Sequence, residues 1–152
     1  MNGWPDASRQ AVVEIGCGLG DILRGLHFAA RLGLDRDPRV LEAARFLSRF
    51  DTGTPPRFDV AEFPTTPLLG TYNAIVMVNW IHAIEPDRLQ AAVEKYVSRH
   101  LARGGSLVLD TVQDPAYTYN HDIQRLSPPG AATDHLGRYS RGRDVWLIRR
   151  SL

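Results

Sequence analysis

The stretch Ala11-Val12-Val13-Glu14-Ile15-Gly16-Cys17-Gly18-Leu19-Gly20-Asp21 decides the fold. Its first five residues are short, β-branched and followed by glycine, the pattern of a buried strand. Glycine then recurs at every second position before a helix expected from Gly20 to about His27, with Ile22, Leu23 and Leu26 at apolar spacing. Lacking a Cβ, glycine lets the backbone turn tightly and come close to a ligand. The spacing discriminates between ligands. A dinucleotide fingerprint, G-x-G-x-x-G, needs glycine where Asp21 stands, and the Gly-Lys-Ser/Thr of a Walker loop is missing. A carboxylate at the start of the helix also repels a pyrophosphate. A phosphate ligand is disfavoured.

Strand and helix signals alternate outward from this loop. Phe28 to Asp35 reads as a second strand, and Pro38 opens a helix with Asp37 as N-cap and Val40, Ala43, Ala44 and Leu47 on its buried face. Arg57 to Val60 is a short strand, and Pro64, Pro67 and Gly70 keep any helix between Glu62 and Gly70 brief. Tyr72 to Asn79, the most hydrophobic segment, reads as the central strand. Pro86 starts a helix with Leu89, Ala92, Val93, Tyr96 and Val97 on one face, continued by Leu101 and expected to stop at Gly104-Gly105. Ser106 to Val112 is the next strand, and residues 113–133 read as loop. Two last strands, near Leu136–Ser140 and Asp144–Arg149, are joined at Arg141-Gly142-Arg143 as a hairpin. These segments predict an α/β fold: a doubly wound, mostly parallel, seven-stranded sheet ending in an antiparallel hairpin. Ligands on such sheets bind beyond the carboxyl ends of the strands. The loops after Ile15, Leu34, Phe58, Val78 and Leu109 are therefore the ones that matter.

The 152 residues suit one domain with a substantial core. Eighteen basic side chains against 17 acidic ones give a net charge of +1, which makes neither nucleic acid nor an anionic membrane an expected partner. The single cysteine, Cys17, excludes an internal disulfide and a cysteine-rich zinc site. Ala74 to Val78, the longest wholly apolar run, is far below the roughly 20 residues of a membrane span, and MNGWPDASRQ has no signal-peptide pattern. The expectation is a cytoplasmic protein.

VVEIGCGLG resembles the first motif of the class I S-adenosylmethionine-dependent methyltransferases, an acidic residue followed by G-x-G-x-G. That resemblance implies a Rossmann-like fold, S-adenosyl-L-methionine as cofactor, and cofactor contacts from Glu14, Gly16, Cys17, Gly18 and Gly20. Their cofactor carries no phosphate, in keeping with the loop. Asp35 ends Gly33-Leu34-Asp35 and is similar to the family's acidic residue that binds both ribose hydroxyls; Arg36 follows it. Asp59, with Val60 supplying a backbone N–H, is similar to the adenine contact. Asn79-Trp80-Ile81-His82-Ala83-Ile84 resembles the family's segment after the fourth strand, with Asn79 beside the cofactor, and Gly104-Gly105 resembles its glycine pair before the fifth. The resemblance covers about residues 11–112, with Asn73 where an aspartate is usual.

Methyl transfer is an in-line displacement at a sulfonium, so positioning of the acceptor can supply most of the acceleration. An alcohol acceptor must also lose a proton. His82, near the rim, and His121, in Tyr117-Thr-Tyr-Asn-His121-Asp122, are the candidate bases, each with a structural histidine or a plain surface loop as the alternative. Glu14 has a second reading as a cap for backbone amides. Cys17, with nothing basic beside it, reads as packing. Asp110, Asp114, His121 and Asp122 follow no metal-ligand spacing, so no metal is expected. The expected reaction is transfer to a nucleophile, oxygen by preference, on a small molecule or sugar (glycan) acceptor. The segment after the fourth strand is not the Asn/Asp-Pro-Pro-aromatic motif of base methylation, although Arg141, Arg143, Arg149 and Arg150 leave room for an anionic acceptor. The alternative is a cofactor-binding module acting with a partner subunit, because few residues precede the first strand to cover the acceptor. Either residues 113–133 close the pocket, or a second subunit does, as in a homo-oligomer, or the acceptor is large and meets an open site.

Overall fold

Ala11–Ile15 forms β1, which pairs in parallel with β2 (Ala30–Asp35) on one side and with β4 (Tyr72–Met77) on the other. The computed structural model describes residues 11–139 and 142–150. β3 (Arg57–Val60), β5 (Leu101–Val112), β6 (Ala132–Tyr139) and β7 (Arg143–Arg149) complete one seven-stranded sheet in the order β3-β2-β1-β4-β5-β7-β6. The first five strands run parallel, and β7 enters antiparallel between β5 and β6. This is the expected Rossmann-like sheet with its terminal hairpin. Of the expected hairpin turn, Arg141 lies outside the described residues, as do Ser140 and the N-terminal MNGWPDASRQ.

Alternate strand residues enter two cores, since successive side chains point to opposite faces. Val12, Ala74 and Val76 pack with Phe58, with Leu23 of α1 (Asp21–Arg24), and with Leu41 and Ala44 of α2 (Pro38–Leu47). Val13, Ile15, Ile75, Met77, Leu107 and Leu109 pack on the other face against Leu89 and Val93 of α3 (Pro86–Lys95) and Leu126 of α4 (Ile123–Leu126). Asp37 caps α2 by accepting from the Arg39 N–H at 2.9 Å, and Glu85 caps α3 with its carboxylate on the amides of Asp87 and Arg88.

Several boundaries differ from the sequence reading. α1 is a single turn closed by the Gly25 amide on the Ile22 carbonyl, so it stops short of His27. The buried stripe of α2 is Leu41 and Ala44, with Val40 and Leu47 half-buried and Ala43 exposed. α3 ends in a π-helical turn, Tyr96–His100, and Leu101 begins β5 instead of continuing the helix. Gly104-Gly105 is consequently part of β5, in an irregular stretch where Tyr72 pairs with Leu101 but Ala74 with Ser106. Leu101 is fully buried, so core packing favours the strand there over another helical turn. α4 and the first residues of β6 occupy part of the segment read as loop. Asn73, standing where an aspartate is usual, accepts the Ala11 N–H on its Oδ1 at 3.0 Å.

No helix crosses from β3 to β4; residues 61–71 are turns and extended chain. The β1–β3 face behind them holds a cavity of about 680 Å³, lined by Leu32, Leu34, Arg57, Asp59, Leu69 and Tyr72 among others. Among the described residues, no helix is long and apolar enough to cross a membrane.

Candidate active site

The glycine loop leaves β1 at its carboxyl end with Gly16, Gly18 and Gly20 all at positive φ, 70°, 54° and 77°. Those angles explain glycine at every second position, because a Cβ there collides with the chain's own carbonyl. The loop's amides are engaged internally. Gly16 and Cys17 donate to the Leu34 carbonyl at 2.7 and 3.0 Å, Gly18 to Asp35 Oδ2 at 2.9 Å, and Gly20 to the Cys17 carbonyl at 2.8 Å. Four amides turned inward form no phosphate nest. A Cβ placed on Gly18 would meet nothing within 4 Å, so that side of the loop is open to a ligand.

Asp35 ends β2 beside the loop. Gly18 and Asp37 hold its two oxygens, the latter through an N–H at 3.0 Å from Oδ1. Each carboxylate oxygen has two lone pairs, so the held group keeps acceptor capacity for hydroxyls. A cleft of about 210 Å³ opens here, lined by Ile15, Gly16, Asp35, Arg36, Ala61, Glu62, Phe63, Trp80, Ala83 and Ile84. It is smaller than the cavity on the sheet face, but it lies at the strand ends where α/β sheets bind ligands, and that position decides between the two. The cavities meet at Ala61, with Asp59 and Val60 lining only the larger one. Asp59 is paired with Arg57 at 2.6 Å and does not reach the smaller cleft.

Glu14 and Cys17 lie beneath the loop and outside the cleft lining. Glu14 is buried and accepts the Leu23 N–H of α1 at 3.0 Å, the capping role weighed for it above. Burial pushes its carboxyl up to about 7. Burial likewise drives the Cys17 thiol up to about 12, an inert packing group whose sulfur lies 2.8 Å from where a Gly33 Cβ would sit.

After β4 the chain turns through Asn79, whose φ of 75° is unusual for a non-glycine residue. Its N–H donates to Asp110 Oδ1 at 2.9 Å. Trp80 follows, and its indole lies on Gly16: a Cβ there would be 2.3 Å from Nε1. The indole N–H donates to the Ile15 carbonyl at 2.6 Å, and Phe63 packs edge-on with ring centroids 4.9 Å apart. Nothing in the sequence reading singled out Trp80; its tie to the glycine loop spans 65 residues.

His82 and His121 come together, but not at an open rim. Each is 2% exposed, and their rings stack with centroids 6.2 Å apart. His82 Nε2 lies 3.2 Å from Asp110 Oδ2, and His121 Nε2 donates to the Ile81 carbonyl at 2.9 Å. The Nδ1 atom of each ring is enclosed without a hydrogen-bond partner. Burial lowers the basicity of His121 below the ordinary imidazole value. Tyr117 stands edge-on to His82 at 4.9 Å, and the Tyr119 amide donates to the His82 carbonyl at 3.1 Å, so the segment after β5 covers this end of β4. Arg143 of β7 reaches across to Asp110, and donates to the Tyr117 hydroxyl at 3.1 Å. Asp110, a metal-ligand candidate without a spacing pattern in the sequence, and Arg143, a hairpin-turn residue in the cluster left open to an anionic acceptor, thus form one pair. Burial would raise the Asp110 carboxyl, but His82, the Asn79 amide and the Arg143 charge outweigh it and hold it below its ordinary value. Among the described residues no group of three or more His, Cys, Asp or Glu is arranged to hold a metal ion.

A glycine loop with inward amides, an oriented carboxylate at the end of β2 and a cleft between them lie together at the strand ends, where α/β sheets bind ligands. Comparison with known proteins gives the family. The family described as "Methyltransferase domain" matches residues 13–107. The chain belongs to this family; it is a class I S-adenosylmethionine-dependent methyltransferase, an enzyme whose cofactor is S-adenosyl-L-methionine. No curated protein matches it in sequence. Similar solved structures include an amino pentose methyltransferase from Micromonospora echinaspora with S-adenosylmethionine bound, at 17% identity and TM-score 0.72, covering 95% of this chain and 86% of that one. Magnesium protoporphyrin IX methyltransferase from Synechocystis shares 16% identity at TM-score 0.78, over 96% of this chain and 77% of that one. The N-methyltransferase NodS from Bradyrhizobium japonicum shares 17% identity at TM-score 0.71, over 93% and 78%. Nothing in these likenesses supports the alternative of a module without catalysis of its own.

Proposed function

We propose that this enzyme transfers the cofactor methyl group to a hydroxyl oxygen of a small molecule or sugar, with His82 as the base. The observation that carries this reading is the enclosed, unpartnered Nδ1 of His82, on a ring anchored through Nε2 beside Asp110. A buried polar atom without a partner is uncommon and marks a place where a donor belongs. A hydroxyl is such a donor. The neighbour named as an amino pentose methyltransferase is in keeping with a sugar acceptor.

S-adenosyl-L-methionine, when bound, supplies an electrophilic methyl group on a sulfonium. Asp35 would accept from the ribose hydroxyls through lone pairs that Gly18 and Asp37 leave free. Gly18 would give the close backbone approach and Gly16 the cleft wall beside Trp80, while Gly20 is packed on Phe58, with Cys17 packed and Glu14 capping α1 beneath them. Arg36 and Glu62 border the cleft, and Asp59 and Val60 border its junction with the larger cavity, the adenine end in this reading. Asn79, set by its bond to Asp110, flanks the cofactor on the β4 side. His82 removes the hydroxyl proton at Nδ1, and His121 supports the ring by stacking. Tyr117 and its neighbours exclude water, and must lift for the acceptor to reach Nδ1. The protein works in the cytoplasm, without nucleic acid as its substrate, and the segment after β5 covers the acceptor whether or not a second copy is bound.

A panel of hydroxyl- and amine-bearing acceptors, read by S-adenosylhomocysteine release, tests this. Methylation of hydroxyl acceptors, slowed at least about a hundredfold in His82→Ala, is expected. Turnover confined to amines would sink the oxygen assignment. Wild-type rates in both His82→Ala and His121→Ala would remove the histidines from the mechanism.

A further inference from the structure

We propose that Asp110 is the positioning residue for His82: it fixes the imidazole in the Nε2–H tautomer, which leaves Nδ1 as the basic nitrogen. The inference rests on the hydroxyl-transfer reading for its consequence, but its geometry stands apart from any acceptor. Asp110 is fully buried on β5, and its two oxygens serve different neighbours. Oδ1 accepts the Asn79 N–H at 2.9 Å, while Oδ2 lies 3.2 Å from His82 Nε2 and also accepts from Arg143 Nη1. A guanidinium against a buried carboxylate keeps it ionised, and an ionised carboxylate has only lone pairs to offer. His82 Nε2 must therefore carry the proton.

The contact between Arg143 Nη1 and His82 Nε2, 3.4 Å, fits the same assignment. Both are donors to one oxygen, and Oδ2 has a lone pair for each. The rival arrangement, Nε2 deprotonated and accepting from Arg143, would set its lone pair against the carboxylate 3.2 Å away. Carboxylate repulsion rules it out. The other titratable groups against His82 do not change the choice: Tyr117 meets the ring edge-on at 4.9 Å, and His121 is a stacked ring whose own Nε2–H goes to the Ile81 carbonyl. In a neutral imidazole one nitrogen is a donor and the other an acceptor, so Nδ1 holds the free lone pair.

Asp110→Asn, made in an Arg143→Met background, separates positioning from mere structure, because the guanidinium would otherwise draw the amide oxygen to its own side. With Arg143 removed, the Asn79 N–H still requires an acceptor, so the amide oxygen must face Asn79 and the NH₂ must face His82. That NH₂ can only donate, and it drives His82 to the opposite tautomer, with the proton on Nδ1, whereas Arg143→Met alone keeps the Nε2–H form. Long-range ¹H–¹⁵N spectra of ¹⁵N-histidine protein report this directly, with the His82 signals identified by their loss in His82→Gln. The wild type should show the Nε2–H tautomer near neutral pH. The double variant should show Nδ1–H, with methyl transfer to a hydroxyl acceptor down at least about a hundredfold from Arg143→Met and the dissociation constant for S-adenosylmethionine within about threefold of wild type. A wild-type His82 protonated on Nδ1 would overturn the assignment without any variant, whether or not the double variant folds. An unchanged tautomer in the folded double variant would overturn it as well. If the tautomers behave as stated but His82→Ala keeps the wild-type rate, the base reading fails and the positioning of the ring stands.

Discussion

The Gly18 amide donates to Asp35 Oδ2 at 2.9 Å, joining the glycine loop to the end of β2 through one side chain. Asp35→Ala removes that link together with the acceptor proposed for the ribose. Hydrogen bonds to a charged group contribute about 1.5–3 kcal/mol each, so binding of S-adenosylmethionine should weaken roughly 10- to 100-fold by calorimetry. Unchanged affinity would take Asp35 out of the cofactor site.

Gly16 and Gly18 share the left-handed backbone but not its surroundings. A Cβ on Gly16 would lie 2.3 Å from the Trp80 indole, whereas one on Gly18 has nothing within 4 Å. Gly18→Ala should cost only the backbone term, about 1–2 kcal/mol. Gly16→Ala should cost distinctly more. In urea melts, Gly16→Ala combined with Trp80→Ala should be less damaging than the two single changes added, by about 1 kcal/mol or more. Additive losses would show that the indole does not press on the loop.

Glu14 gives the fold a pH signature. Its carboxyl ionises near 7 in the folded protein, against an ordinary 4.5, because burial penalises the charge. The folded state therefore keeps a proton that the unfolded chain releases. This contribution is complete below about pH 4.5 and is lost as pH rises through about 7. Glu14→Gln can still accept from the Leu23 amide and has nothing to ionise. Urea denaturation should find the variant equal to wild type near pH 4 and more stable at pH 8, by up to about 3 kcal/mol. A constant difference across that range would contradict the burial argument.

Leu101 tests the start of β5. It is fully buried, so Leu101→Ala should cost about 2–5 kcal/mol. Leu136, 42% exposed on β6, should lose under about 1 kcal/mol as alanine, since a large part of its side chain stays in water in either state. Equal losses in denaturant melts would place Leu101 outside the core.

The strands were legible because residues buried on both faces write an apolar run, as Ala74–Met77 do and as Val12–Ile15 do around the single Glu14. Asp37 was legible because capping acts over a few residues. Gly104-Gly105 misled because a glycine pair after a helical stripe looks the same in a C-cap and in a strand irregularity; the burial of Leu101 decides, and burial is tertiary. Trp80 on Gly16 and Arg143 on Asp110 had no local trace, since each pair joins distant parts of the chain. Asp110 did leave one sign: a lone charge in the apolar run Ser106–Val112 asks for a buried partner.

The inward-facing amides of Gly16, Cys17, Gly18 and Gly20 bear on how the enzyme fares among other adenine compounds. ATP and NAD share the adenosine of its cofactor, and differ from it in carrying anionic chains. A loop with its amides already committed gives those chains no counter-charge, while Asp35 and Glu62 nearby repel them. In the resting loop, then, both the four committed amides and the neighbouring carboxylates are set against a polyphosphate chain.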